Sequence, residues 1–473
     1  VIDGSYQPAN GYNGTSPKII IDGSTIVPKN LHEPEDISGI VVLAPQCEIY
    51  GLYIKNFIGS AIYVMNNDSY YDGNYNKYVA HGNNFIIGDI NGKGNILSGC
   101  YNGIHLLKTK NGKIINNKIG TDELGKSALS NQYGIVCSYS SNIIIGTTLQ
   151  SFGRITNYGL SNLISGNLHD GIGLYSSENI SINCNYIGTD ISGTSALPNG
   201  QQGITILNSN TIHIGGSSKT GNIISGNKGN GINITQGSND CYIKSNIIGL
   251  DKSGKNVIPN NSNGIKLNAS SDITIGGSLQ KKEGNIIAGN LMNGIDIERS
   301  NSCNNSSINI QSNLIGTDIT GNISLGNKEN GIRLIDLEYT QKDEEPLRTV
   351  YYTKCIIGGD QKDFKNTISG NQFDGIFIDQ LDDLTPNFGN IEINNNNIGT
   401  DITGNLPLGN QQNGISVTGF LVEGRDITIG GSKGTENIIS GNKQVGVEYR
   451  GNYSGDDVTP RNYAFLYIKN NFI

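Results

Sequence analysis

The sequence predicts an all-β chain folded as a single-stranded parallel β-helix, a β-solenoid of about 12–13 rungs of roughly 34 residues in alternating two-rung repeats. Three observations lead there. Gly and Asn together make up more than a quarter of the 473 residues, Trp is absent and Met occurs twice. Both residues tolerate positive φ, so the chain must be rich in tight turns. A Gly-(Ile/Val)-x-apolar motif recurs at Gly103, Gly134, Gly171, Gly203, Gly231, Gly264, Gly294, Gly331, Gly375, Gly414 and Gly446, so that ten intervals cover 343 residues, or 34.3 per repeat. That length suits one solenoid turn of three short strands and three corners. The motif also alternates: in Gly231-Ile-Asn-Ile234 both Ile point one way and Asn233 the other, the period of a half-buried strand. Stacked rungs pile Ile on Ile into a core that no single rung could bury.

Taken in order, residues 1–60 read as entry rungs, 61–293 as regular rungs and 294–473 as rungs with enlarged corners, all in one continuous domain. From Gly103 two rung types alternate. One carries Ile-Gly-Gly and then Asn-Ile-Ile-Ser-Gly-Asn, as at Ile214–Gly216 and Asn222–Asn227; the other carries Ile-Gly-Thr-Asp-x-x-Gly, as at Ile187–Gly193. An Asn stands four positions before the motif Gly in nine consecutive rungs: Asn167, Asn199, Asn227, Asn260, Asn290, Asn327, Asn371, Asn410 and Asn442. One Asn could be a ligand, but nine in register form a ladder of stacked amides, at a turn expected to enter the left-handed region. Asp122, Asp190, Asp251, Asp318 and Asp401 each precede a Gly by three residues, the signature of a type I turn capped by its carboxylate. A catalytic residue need occur only once, so turn capping is the reading, with calcium bridging a distant second. The seven Cys form no CxxC pair and read as small, buried, reduced side chains. No cofactor or metal is expected.

The formal charge is −8 and the pI near 5.2, without the basic footprint of a nucleic-acid binder. The longest apolar run, Ile40 to Ala44, is strand-sized, so no membrane insertion is expected. The sequence opens and stops inside motifs and reads as a piece of a longer chain with open sheet edges, which favour association end to end.

The Asn-Ile-Ile-Ser-Gly-Asn, Ile-Gly-Thr-Asp-x-x-Gly and Asn-Gly-Ile runs resemble the repeats of the pectate-lyase-like superfamily of parallel β-helices. They are most similar to extracellular repeat proteins of bacterial surfaces and fibres. The resemblance covers the whole chain and implies right-handed coiling. It leaves function open, because the superfamily includes lyases, hydrolases, epimerases, tailspikes and adhesins. Of the polygalacturonase signatures only Asp-Asp occurs, at Asp382–Asp383 and Asp456–Asp457, and the Trp-containing pectate-lyase motif is impossible here. The five His, at 32, 81, 105, 169 and 213, share no rung position and read as surface or turn residues.

Function is expected where the repeat deviates, since loops on a rigid scaffold carry binding. From a motif Gly to the Gly of the next Ile-Gly pair, the two rung types have minima of 12 residues (Gly134 to Gly146) and 17 (Gly103 to Gly120). From Gly294 onward the span swells to 22, 27, 24 and 16 residues. All the extra residues are assigned to one corner. They are expected to stack into a glycan- or partner-binding patch with Tyr339, Glu344, Tyr351, Tyr352, Asp382, Asp383, Arg425, Tyr453, Asp456, Asp457 and Arg461. An isolated insertion between Ala61 and Gly88 carries Tyr70, Tyr71, Tyr75 and Tyr78. The leading expectation is an extracellular structural or adhesive protein of a cell or virion surface, such as an adhesin or fibre subunit. The alternative is a polysaccharide lyase or glycoside hydrolase at the same patch, where carboxylates on adjacent rungs would stand ~5 Å apart.

Overall fold

The computed structural model describes residues 1–4, 19–26, 37–71, 77–89, 91–147, 160–217, 220–299, 307–336, 353–380, 388–419, 426–451 and 466–473. Two compact units make up the chain, Val1–Gly231 and Ile232–Ile473. Each is a right-handed parallel β-helix with three parallel sheets. Every regular rung visits the sheets in the same order. Sheet I follows the motif Gly, sheet II comes next, and the short strands of sheet III close the rung.

In the first unit sheet I includes Asn102–Leu107, Tyr133–Ser138, Ile172–Tyr175 and Ile204–Leu207; sheet II includes Ser141–Gly146, Glu178–Asn183 and Asn210–Gly215; sheet III includes Lys118–Ile119, Leu163–Ile164, Tyr186–Ile187 and Ile223–Ile224. The register puts like on like. Ile104, Ile135, Ile172 and Ile204 are successive partners, as are Ile265, Ile295, Ile332, Ile376 and Ile415 in the second unit, and all are fully buried. Each such side chain contributes roughly 1.5–3 kcal/mol of burial, and the β-branched shape suits the pleat.

Each corner carries its own ladder of buried polar groups, because a corner turned inside a stack must satisfy its backbone there. Between sheets III and I runs the asparagine ladder seen in the sequence. Asn131, Asn167, Asn199 and Asn227 are joined amide to amide at 2.9–3.1 Å, and Asn260, Asn290, Asn327, Asn371, Asn410 and Asn442 are joined in the second unit at 2.9–3.0 Å. These Asn are not themselves left-handed. In alternate rungs the Gly just before takes the positive φ, as at Gly166 (75°) and Gly289 (72°).

A second asparagine ladder, unread in the sequence, holds the corner between sheets II and III. It links Asn95, Asn117, Asn162, Asn185 and Asn222 in the first unit. In the second unit it links Asn246, Asn285, Asn313, Asn366, Asn396, Asn437 and Asn471. Between sheets I and II the ladder is made of hydroxyls: the N–H groups of Thr109, Ser140 and Ser177 donate to Ser140, Ser177 and Ser209 at 3.0–3.2 Å.

The Asp of the second rung type organises a small antiparallel flap. Asp190 Oδ1 accepts the N–H groups of Thr194 and Ser195 at 3.1 and 3.2 Å, and Gly193 donates to the Asp190 carbonyl at 2.9 Å. The same pattern recurs at Asp122, Asp251, Asp318 and Asp401. Successive flaps clasp one another, as where Ile191 donates to Gly125 O at 3.0 Å and Ile402 to Gly321 O at 2.9 Å. They fold over the outer side of sheet III, so that Ile191 packs on outward-facing Leu163, Tyr186 and Ile223. Sheet III therefore has apolar layers on both faces.

Three expectations need correction. The two Ile-Gly pairs close different strands, Gly146 ending sheet II and Gly120 following sheet III, so the 12- and 17-residue minima differ by a strand rather than by a loop. Not every insertion shares a corner either. Gly146 to Asn162 spans 16 residues where Gly215 to Asn222 spans 7, and this excess lies between sheets II and III. Finally, His105 is a half-buried strand residue of sheet I, not a turn histidine. The cysteines behave as small apolar side chains: Cys137, Cys241 and Cys355 are fully buried, and none of the described six is in a disulfide.

Candidate functional site

The proposed binding residues Tyr339, Glu344, Tyr351, Tyr352, Asp382, Asp383, Arg425, Tyr453, Asp456, Asp457 and Arg461 all lie outside the described residues. The strands that flank those segments are described. Ile295–Arg299, Ile332–Asp336, Ile376–Gln380, Ile415–Gly419 and Val447–Gly451 belong to sheet I, and the chain resumes each time in sheet II.

Among the described residues the outer face of sheet I concentrates the groups with chemical potential. Sheet III is covered by the flaps, and inward positions are apolar, mostly isoleucine. The early insertion is a β-hairpin in which Ser60–Tyr71 pairs antiparallel with Lys77–His81. Outward-facing Tyr63 and Met65 pack with Ala80 of that hairpin into a small external core. His105 stacks on Tyr63 with ring centroids 4.9 Å apart, and burial lowers its pKa to about 4, so it is neutral at pH 7.

Farther along the same face the cover ends. Tyr133 stacks on His169 at 4.8 Å and meets Tyr101 at 5.8 Å. Nδ1 of His169 is buried without a hydrogen-bond partner among the described residues. Beside it Asp170 is only 6% exposed. Its Oδ1 accepts the Gln202 N–H at 2.9 Å, and the Thr205 hydroxyl stands alongside. Burial raises the Asp170 pKa against the Gln202 hydrogen bond. Tyr175 completes the group, its phenol pushed up to about 12 by burial, with Asp170 and Tyr133 adding to the shift.

Gly173 explains how Tyr175 is placed. A Cβ at Gly173 would come within 2.7–3.0 Å of the Tyr175 ring and hydroxyl. The ring is thus laid back along its strand into the space a side chain would fill, instead of projecting from it. The result is a half-exposed phenol, a buried carboxylate and a stacked Tyr–His pair on one stretch of sheet. Such a surface can make apolar ring contact and accept or donate hydrogen bonds, and its carboxyl is held nearer to protonation than a solvated one.

Asp170 also belongs to a column just before the motif Gly whose members are otherwise mostly amides. In the second unit this column is a third asparagine ladder. Asn330 donates to Asn293 at 2.9 Å, Asp374 N–H to Asn330 at 3.1 Å and Asn413 N–H to Asp374 at 2.7 Å. Asp374 is raised by burial as Asp170 is, but no aromatic stack adjoins it among the described residues. The second unit's outer face is instead ionic. Arg333 grips buried Asp296 through Nε at 2.6 Å and Nη2 at 3.2 Å and reaches Glu298 at 3.0 Å, while Lys266 pairs with Glu298 at 3.0 Å. These charges satisfy one another across three adjacent strands.

The sequence reading missed the Asp170 group, though signals exist. Gly173 is the one Gly at the x position of the Gly-Ile-x motif, and Asp170 and Asp374 are acids in a column of amides. Among the described residues there is no group of three or more His, Cys, Asp or Glu placed to hold a metal ion, and no helix long and apolar enough to cross a membrane.

No family model and no curated protein matches the chain. Among solved structures, the A-module of an Azotobacter vinelandii mannuronan C-5 epimerase aligns at 12% identity and TM-score 0.35, covering 91% of this chain and 86% of that one. A periplasmic alginate epimerase aligns at 12% and 0.35, covering 92% and 82%. A surface adhesin of Streptococcus pneumoniae aligns at 12% and 0.18, covering 87% and 81%. In architecture both units are right-handed parallel β-helices.

Proposed function

We propose that this is an extracellular glycan-binding β-solenoid, adhesive or structural in role, which holds an extended saccharide on the outer face of sheet I in the first unit. The observation that carries the reading is the Tyr175 ring laid along its strand over Gly173, beside buried Asp170 and the Tyr133–His169 stack. A half-exposed ring offers a pyranose its apolar surface, and the carboxyl and phenol supply oriented hydrogen bonds. A regular parallel strand array repeats every ~4.8 Å and suits a long, repeating ligand. The resemblance of the repeats to extracellular repeat proteins supports a location outside the cell.

Binding is preferred to hydrolysis on geometry. Glycoside hydrolysis ordinarily uses two carboxyl groups about 5–9.5 Å apart, and the four sheet I strands at the site add no second acid to Asp170. One observation favours the enzymatic alternative: the raised pKa of Asp170 beside two tyrosines suits a proton donor. A glycan array followed by product assays on each bound polysaccharide separates the two. Saturable binding lost in Tyr175→Ala, without new reducing ends or unsaturated products, supports the binding reading. Turnover abolished by Asp170→Asn replaces it with the enzyme, and an array without Tyr175-dependent binding removes the glycan reading.

A further inference from the structure

Resting on that reading, we infer that the ligand of the Tyr175 face is a neutral glycan and not a polyuronate. The four sheet I strands that carry and flank the site are Asn102–Leu107, Tyr133–Ser138, Ile172–Tyr175 and Ile204–Leu207, with sequences NGIHLL, YGIVCS, IGLY and ITIL. None contains Lys, Arg, Asp or Glu. Of the seven sheet I strands in the second unit, five carry charge, IKLN, IDIER, IRLID, IFIDQ and VEYRG, and two, INIT and ISVTG, do not. Charge is thus common on this sheet, and the site lies in a run of four consecutive strands without it.

The group that does carry charge points the same way. Asp170, just before its strand, is an acid buried to 6% exposure, and the two tyrosines beside it only accept further negative charge at a cost. His105 is a neutral ring at pH 7, and no described strand of this stretch supplies a guanidinium or ammonium to receive a uronate carboxylate. A polymer with one carboxylate per sugar would bring like charges together in a half-desolvated setting, and desolvating an anion without a partner is strongly unfavourable. Hydroxyl groups face no such penalty. Sugar hydroxyls can donate to Asp170, which keeps 6% exposure, and accept from the Tyr175 phenol.

The test measures equilibrium binding by calorimetry for the whole chain. The probes are hexasaccharides of two neutral types, a glucan and a mannan, and two anionic types, polymannuronate and polygalacturonate, at low and high salt. The expected result is that a neutral hexasaccharide binds at least roughly tenfold tighter than either uronate, that Tyr175→Ala abolishes this binding, and that Asp170→Asn narrows the gap by improving uronate affinity. A uronate that binds as tightly as, or tighter than, both neutral probes and depends on Tyr175 overturns the neutral-glycan inference while leaving the site in place. Binding of either class that is indifferent to Tyr175→Ala and Asp170→Asn, or absent altogether, overturns the site and the inference with it. Circular dichroism melts of both variants identify loss of binding through unfolding; an unfolded Tyr175→Ala is replaced by Tyr175→Phe, which must weaken neutral-glycan binding by removing the phenol donor, and unchanged binding there counts against the inference.

Discussion

Replacing Asn290 by Ala isolates the cost of breaking one rung of the ladder between sheets III and I. Asn290 is fully buried. Its Oδ1 accepts the Asn260 amide at 2.9 Å, and its own Nδ2 donates to Asn327 at 2.9 Å, with a longer contact to Ala288 O at 3.4 Å. Alanine keeps the backbone N–H that donates to Asn327 Oδ1 at 3.1 Å, so that acceptor stays satisfied. The Asn260 amide, however, is left facing a methyl group away from water. An orphaned buried donor costs about 1–3 kcal/mol and a lost intramolecular hydrogen bond about 1 kcal/mol more, so the variant should lose roughly 2–4 kcal/mol. Chemical denaturation followed by circular dichroism reads the change, with hydrogen exchange at Asn260 and Asn327 to localise it. Asn233, which faces outward and half-exposed from strand Ile232–Thr235, is the control, and its Ala variant should change stability by under about 0.5 kcal/mol. Equal small effects at both positions would refute the claim that buried amide ladders hold the corners.

Three further outcomes follow from the same geometry. His105 has a folded pKa of about 4, below the ~6.5 of a free imidazole, so its contribution is fully present above pH 6.5 and lost as pH falls through 4, by roughly 3 kcal/mol at most; His105→Phe should flatten that part of the stability profile, and an unchanged profile contradicts it. Asp374 runs the other way: its pKa is raised by burial, so its contribution is present below the unfolded value near 3.9 and lost as pH rises through the folded pKa. Asp374→Asn should therefore raise stability at pH 7 by about 1 kcal/mol and less at pH 3.5, and a loss at pH 7 would show the carboxylate is favoured there. Gly173→Ala should leave stability within about 1 kcal/mol, because the intruding Cβ meets the free end of Tyr175, yet weaken glycan binding by moving that ring; retained binding would show the ring's position is irrelevant.

The fold was legible because its determinants repeat. Ile232, Ile265 and Ile295 recur at fixed offsets from a Gly, and only a stacked solenoid buries each on the next. The ladder containing Asn290 was legible for the same reason, while the ladder through Asn285 and Asn313 was hidden in plain view inside Asn-x-Ile. The site resisted because outward positions do not repeat: His105, Val136, Gly173 and Thr205 share one row with no common chemistry. His105 is buried by a stack on Tyr63 and a hairpin 24 or more residues earlier in the chain, a cover no local pattern announces. The enlarged corners stand out in the sequence by length, whereas Asp170 marks its site only by replacing one amide in a column.

The central claim is that a glycan lies on sheet I of the first unit. Hydroxyl-radical footprinting of the chain with and without a bound neutral hexasaccharide tests it directly, because tyrosine reports its own solvent access. The account predicts protection of Tyr133 and Tyr175, with Tyr139, which is 63% exposed just beyond the strand, unchanged. Protection confined to Tyr339, Tyr351, Tyr352 and Tyr453, with Tyr133 and Tyr175 unaffected, would place the ligand on the enlarged corners and contradict it.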